Sequence, residues 1–179
     1  MKSFKSYPPV SPYRQNLHKI FVESLRDNVS EFWDMTHRPF FVRLQKPFNM
    51  VLEVYMFPAL NPPGGRNAHE YKINLLLQGH LKQKRMNFPS NDNYPILVAY
   101  EENLDVFILL DAYAHKDFSP NTNIQFKDDV VLDALTKEVS YMIKGNGEVV
   151  IAAKSNNLIN ALEYRILDEI PDNNATQHP

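Results

Sequence analysis

Two groups of polar residues in the 179-residue chain have types and spacing that suit a particular chemistry. The first is Asp111, Glu148 and Lys154, each at the end of a predicted strand. A metal-dependent nuclease of the restriction type needs an acid in one strand and another acid two residues before a lysine in the next, so that carboxylates hold the metal while the lysine orients water. Glu148 and Lys154 are six residues apart, which puts them at opposite ends of one strand face. A degenerate nuclease site is therefore an alternative hypothesis rather than the favoured one.

Other catalytic and cofactor motifs do not occur in the sequence. There is no cysteine, which excludes disulfides, thiolate nucleophiles and thiolate metal sites. The six histidines show no H-x-x-x-H spacing, and there is no phosphate-binding loop, no G-x-G-x-x-G and no Gly-x-Ser-x-Gly elbow. The sequence thus predicts no catalytic residue, no metal and no cofactor, and we expect a binding protein more than an enzyme.

The second group lies in and after the stretch NPPGGRNAHEYKINLLL, residues 61–77. Its glycines allow close approach to the backbone amides, and Arg66 offers a two-pronged contact to a phosphate or a guanine. From Arg66 to Arg85 the basic residues outnumber the single acid Glu70, whereas the whole chain has a net charge of −2. A near-neutral chain with one basic region is not expected to coat nucleic acid indiscriminately.

These basic residues and a polar segment further along the chain predict contact with double-stranded DNA. The predicted DNA-binding residues are Arg66, Lys72, Lys82, Lys84, Arg85, His115, Lys116, Asn121, Asn123 and Gln125. The cations suit phosphates, and the histidine and amide side chains suit base edges. Each residue alone has a plainer interpretation, such as a tight turn or a solvated charge. As a set around one sheet edge, they make DNA binding a competitive hypothesis.

Hydrophobic periodicity predicts the helices that flank this region. Ser11 as cap and Pro12 in the first turn begin an amphipathic helix that extends to about residue 35, broken near Asp27. A second helix is predicted over residues 128–144 with Asp128 as its cap. A third is predicted over residues 155–170, capped by Ser155 or Asn156.

The strands are predicted from apolar runs bounded by turn residues. They are FFVRLQ, MVLEVYMF, EYKINLLL, a hairpin within ILVAYEENLDVFILLDA, NIQFK and EVVIAAK. Six to seven mostly consecutive strands with about three helices predict an α+β domain, with a mostly antiparallel mixed sheet or a half-open pseudobarrel. We expect a single domain over residues 11–170, with flexible tails at residues 1–10 and 171–179. Without a signal peptide or a membrane span, the expected location is the cytoplasm.

The order of four segments resembles a known family of DNA-recognition modules. The segments are PPGGR…EYKINL, ILVAYEENLDVFILLDAYAH, NTNIQFK and GEVVIAAKSNNLINAL, and the resemblance covers residues 51–165. The family is a module found mainly at the N-terminus of bacterial restriction endonucleases. The resemblance implies a sequence- or modification-dependent DNA-binding domain in a restriction or phage-defence system. It also implies a plant-B3-like pseudobarrel whose two arms grip the major groove. Leu110 departs from the aromatic residue that the family has at this position.

The resemblance also implies a partner on another chain. In the family, a nuclease or other effector domain follows the module, and we expect no room for one after residue 170. A separate nuclease or methyltransferase subunit is therefore the expected partner, in addition to DNA. A third hypothesis is a protein-interaction subunit without nucleic-acid binding, in which the acids Glu163, Asp168 and Glu169 form the contact surface.

Overall fold

The computed structural model describes residues 8–61, 69–75, 93–115, 118–119 and 122–167. The α-helices in these residues are α1 (Pro12–Leu25), α2 (Asp129–Asp133) and α3 (Leu158–Leu167). The strands are β1 (Val29–Trp33), β2 (Phe40–Leu44), β3 (Met50–Pro58), β4 (Glu70–Leu75), β5 (Tyr94–Glu101), β6 (Val106–Leu110), β7 (Thr122–Lys127), β8 (Ser140–Ile143) and β9 (Val149–Lys154).

Seven of these strands form one mixed sheet in the order β1-β2-β3-β5-β6-β9-β8. Strands β3 and β5 run parallel, and the other neighbours in the sheet run antiparallel. Strands β4 and β7 form a separate antiparallel pair, which we call the ribbon. The sheet does not close into a barrel within the described residues. The predicted α+β fold with a mostly antiparallel mixed sheet is confirmed. Strands β1 and β8, which the sequence predicts as parts of helices, raise the strand count above the six or seven expected.

The large sheet is covered on both faces, which explains why its inner strand β6 is buried along its whole length. On one face, α1 and α3 pack against the sheet, and the ring of Phe21 meets the ring of Phe107 edge-on at 5.8 Å. On the other face, the ribbon and α2 pack against the sheet, and Ile73 and Phe126 join Ile108 in a second apolar cluster. The ribbon and α1 therefore lie on opposite sides of the molecule.

The first predicted helix is correct at its start and wrong at its end. The side chain of Ser11 accepts a hydrogen bond from the amide of Arg14, and Pro12 is the first helical residue, as expected. The helix ends at Leu25, because Arg26 takes a φ of 50°, which right-handed helices do not allow. A short 3-10 turn follows, and the β-branched and aromatic residues at the end of the predicted helix form strand β1 along the edge of the sheet.

The second predicted helix is also too long. Only α2, a small part of the predicted range, is helical. The second half of that range contains strand β8, whose backbone pairs with β9. Strand pairing overrides helical spacing here, as tertiary context commonly does. Asp128 occupies the cap position as predicted, but its carboxylate makes no capping bond and instead contacts Nδ1 of His69 at 3.1 Å.

The third helix begins later than predicted, at Leu158, after a 3-10 turn over Ser155–Asn157. Ser155 does not cap it, because its hydroxyl donates a 2.5 Å hydrogen bond to the carboxylate of Asp105. Asp105 lies at the tip of the β5–β6 hairpin, which is present as predicted. Residues 8–10 of the expected N-terminal tail are described, and the expected C-terminal tail lies outside the described residues. Val10 is buried, and its amide donates to the carbonyl of Thr36 at 2.8 Å.

Candidate nucleic-acid interface

The ribbon separates its side chains into an apolar inner face and a polar outer face. Alternation along β4 and β7 sends Tyr71, Ile73 and Phe126 towards the large sheet. The rings of Tyr71 and Phe126 stack at 5.8 Å, and Tyr71 also makes a hydrogen bond to the carboxylate of Glu101. Burial and this hydrogen bond raise the pKa of Tyr71 to about 12. The ribbon is therefore held firmly on the sheet by its inner face.

The outer face of the ribbon carries three cross-strand pairs of polar residues. The register places Glu70 opposite Lys127, Lys72 opposite Gln125 and Asn74 opposite Asn123. The side-chain amide of Asn74 donates a hydrogen bond to Oδ1 of Asn123 at 3.2 Å. Asn123, Gln125 and Lys127 are exposed, and Lys72 and Asn74 are half-buried. The result is a band of amide and ammonium groups, with the carboxylate of Glu70 at one end of the ribbon.

An open groove of about 570 Å³ lies between β7 and the β8–β9 hairpin. Every residue of β7 lines it, including the inward-facing Ile124 and Phe126, so the groove follows the edge of the strand rather than one of its faces. The opposite wall consists of residues 142–146 at the end of β8 and in the following turn. His115 and Lys144 are among the lining residues.

The backbone of β7 presents hydrogen-bonding groups to this groove. The amide and the carbonyl of Lys72 both bond to Leu60, on the side of β4 that faces away from β7. In an antiparallel ladder this makes Lys72 and Gln125 a non-hydrogen-bonded pair, so the amide and carbonyl of Gln125 point away from β4. By alternation, Asn123 and Lys127 do the same. This edge of β7, which pairs with no other strand among the described residues, therefore offers main-chain donors and acceptors along the groove.

A buried carboxylate, Glu148, fixes two of the basic side chains that line the groove, His115 and Lys144. Its Oε1 contacts Nε2 of His115 at 2.9 Å and accepts a hydrogen bond from the amide of Asp111 at 3.2 Å. Its Oε2 accepts one from Nζ of Lys144, also at 3.2 Å. Burial alone would raise the pKa of Glu148, but these contacts outweigh it, so the pKa lies below its usual value. Glu148 is thus a charged anchor on which His115 and Lys144 are oriented.

The same contacts bear on the nuclease hypothesis. The structure does bring Asp111 and Glu148 together, but the contact is made by the backbone amide of Asp111. The carboxylate of Asp111 instead accepts a hydrogen bond from the amide of Tyr113 at 2.9 Å. Both oxygens of Glu148 are occupied by donors. No group of three or more potential ligands that could hold a metal ion is found in the part of the chain that the structure describes.

Four of the ten predicted DNA-binding residues are described, and the structure brings them to one side of the molecule. Lys72, Asn123 and Gln125 share the outer face of the ribbon, and His115 lines the groove beside it. The other six lie outside the described residues: Arg66, Lys82, Lys84, Arg85, Lys116 and Asn121. Their roles stay predictions.

Several residues of this surface were missed from the sequence. Asn74 and Lys127 belong to the outer face, and the period-two alternation of EYKINL and TNIQFK places them there with Lys72 and Gln125. Lys144 lies at the end of the second predicted helix, so the sequence pattern does not indicate that it lines the groove. The sequence suggests Glu148 only as a candidate metal ligand.

Fold and surface together define an α+β domain that presents a polar two-stranded ribbon on one side of a mixed sheet. The chain belongs to the methylase-associated X1 family, whose model matches residues 50–162, more than half of its length. The match runs from β3 into α3 and contains both strands of the ribbon. Comparisons with curated proteins and with solved structures gave no match.

The description of the family associates it with methylases, which fits the restriction-modification context that the resemblance implied. The B3-like recognition fold, the phage-defence role and the bacterial origin stay predictions. No helix among the described residues is long and apolar enough to span a membrane.

Proposed function

We propose that this chain binds double-stranded DNA through the outer face of the ribbon, as the specificity module of a restriction-modification or phage-defence system. The observation that carries the proposal is the arrangement of Lys72, Asn74, Asn123 and Gln125 as two neighbouring cross-strand pairs on one face. Amide side chains pair with adenine and lysine pairs with guanine in the major groove. Because the inner face of the ribbon is packed on the sheet, these groups are held in a defined order.

The dimensions of the ribbon suit the major groove of DNA. Two strands of six residues form a ribbon about 20 Å long. The major groove of B-DNA admits a two-stranded β-ribbon of this kind. Its polar face would meet base edges, and the rest of the domain would stay outside the groove.

Phosphate contacts would come from basic residues that precede and follow β4 in the sequence and from the groove beside β7. In the sequence, Arg66 shortly precedes β4, and Lys82, Lys84 and Arg85 shortly follow it. The groove beside β7 adds Lys127, Lys144 and the main-chain amides at the strand edge. Cations and backbone amides are the groups that position proteins on the phosphate backbone. In this proposal His115 supports the groove wall, with only Nδ1 of its ring left to meet a ligand.

The description of the family supports a methyltransferase as the partner of this module. A nuclease on a separate chain belongs to the same proposal, because the described residues contain no group of three or more side chains that could hold a metal ion. The module would then choose the DNA site on which the partner acts.

The proposal is tested by measuring duplex DNA binding as a function of salt, by fluorescence anisotropy, for three variants. Lys72→Ala is expected to weaken binding through the loss of a base contact. The triple variant K82A/K84A/R85A is expected to weaken it through the loss of phosphate contacts, each of which lowers the slope of log K against log salt by about 0.9. Lys19→Ala is the matched control, since Lys19 is an exposed lysine on α1, across the sheet from the ribbon. Binding that is unchanged in both basic variants, or equally weakened by Lys19→Ala, would overturn the proposal.

A further inference from the structure

We infer that the ribbon reads an unmethylated adenine in the major groove, and that methylation of this adenine at N6 blocks binding. The inference rests on the proposed function, because it assigns a base to the same face. It goes further in naming the base, the atoms and the modification that the module distinguishes.

Three of the four polar side chains at the centre of the outer face are carboxamides. The hydrogen bond from Nδ2 of Asn74 to Oδ1 of Asn123 uses one group of each side chain. The remaining groups of this cross-strand pair are the Oδ1 acceptor of Asn74 and the Nδ2 donor of Asn123. Gln125, the next outward-facing residue of β7, is exposed.

A donor next to an acceptor is the complement of adenine. In the major groove, adenine presents the N7 acceptor beside the N6 amino donor, whereas guanine presents two acceptors, N7 and O6. A carboxamide binds adenine through both atoms at once, and a lysine suits guanine. With three carboxamides against the single ammonium of Lys72 in these two cross-strand pairs, the face is built mainly for adenine.

Methylation at N6 removes one of these two contacts. In a base pair, one N6 hydrogen is bonded to thymine and the other faces the major groove, where the methyl group takes its place. The carboxamide oxygen then loses its donor and meets a methyl group instead. The loss of one such two-pronged contact corresponds to about a 10- to 100-fold decrease in affinity.

This assignment agrees with the family to which the chain belongs. A methylase that modifies adenine would change the group that the ribbon contacts, so the module would bind unmodified sites and release modified ones. The module and the methylase would then both act on the same DNA atom, N6 of this adenine.

The test uses duplexes selected for binding to the full chain from a random pool and then resynthesised in three forms. One form carries ordinary bases, one carries N6-methyladenine in place of adenine, and one carries 5-methylcytosine in place of cytosine. We expect 10- to 100-fold weaker binding to the N6-methyladenine form and unchanged binding to the 5-methylcytosine form. The double variant N123A/Q125A is expected to bind the ordinary and N6-methyladenine forms equally, and Lys19→Ala is expected to behave as the unsubstituted protein does.

The outcomes separate this inference from the proposed function. If no duplex binds, both fail. If all three forms bind equally, or if only 5-methylcytosine weakens binding, DNA binding stands and the adenine assignment is overturned. Discrimination that persists in N123A/Q125A would also overturn it, because another part of the chain would then read the methyl group.

Discussion

Replacement of Glu148 by alanine is expected to lower the free energy of unfolding by about 3 kcal/mol, since it removes the buried partner of two basic side chains. Breaking a buried ion pair costs more than breaking a surface one, because the groups left behind lose their compensating charge. His115 and Lys144 keep 16% and 21% of their side-chain exposure, so they regain some hydration, and we expect the lower end of the range. Urea denaturation at pH 7 measures the effect.

The matched control is Glu163→Ala, which removes an exposed carboxylate from α3 and should change stability by less than about 0.5 kcal/mol. The pKa of Glu148 is lowered in the folded state, so its contribution is present above the unfolded pKa and is lost as the pH falls through the folded pKa. The difference between the unsubstituted protein and E148A should therefore shrink in acid. A stability for E148A equal to that of the control would show that Glu148 is not an anchor.

Acidification is expected to destabilise the protein through His18, a histidine of α1 with no exposed surface. Burial lowers its pKa to about 4, although its Nδ1 contacts the carbonyl oxygen of Met35 at 2.7 Å, which acts in the opposite direction. In the unfolded chain this histidine takes up a proton below a pH of about 6.5, whereas in the folded chain it does so only below about 4. The free energy of unfolding should therefore fall by about 3 kcal/mol between pH 7 and pH 4 because of this residue.

The variant His18→Asn separates this effect from the titration of carboxylates. The Nδ2 group of asparagine can replace Nδ1 of the histidine as a donor to Met35, but asparagine does not titrate. Urea midpoints measured at half-unit steps from pH 7 to pH 4 should fall more steeply for the unsubstituted protein than for H18N. Parallel curves would show that His18 is not buried in its neutral form.

The individual strands of the site could be predicted from the sequence, but their pairing could not. The alternation in EYKINL and in TNIQFK is local, and it already indicates which side chains share a face. The pairing of β4 with β7 joins segments that are far apart in sequence, with two strands of the other sheet between them. Nothing in the local pattern of Lys72 shows that it lies opposite Gln125. The polar face of the ribbon is therefore a property of the tertiary structure.

The same distinction explains the errors in the helices. Val29, Phe32 and Trp33 fit a helical spacing, but they also have the β-branched or aromatic side chains that strands favour. The edges of β2 and β9 were available for pairing, and the flanking segments became β1 and β8. The placement of Lys144 in the groove follows from this pairing.

The most direct test of the central claim, that DNA contacts the outer face of the ribbon, is site-specific photocrosslinking. A photoreactive benzoylphenylalanine at Gln125 should crosslink to duplex DNA, because this exposed side chain lies in the middle of the proposed contact. The same group at Asn16, exposed on α1 across the sheet, serves as the control. Crosslinks at position 125 and none at position 16 are the predicted result. Crosslinks at position 16 with none at position 125, or no crosslinks at either, would contradict it.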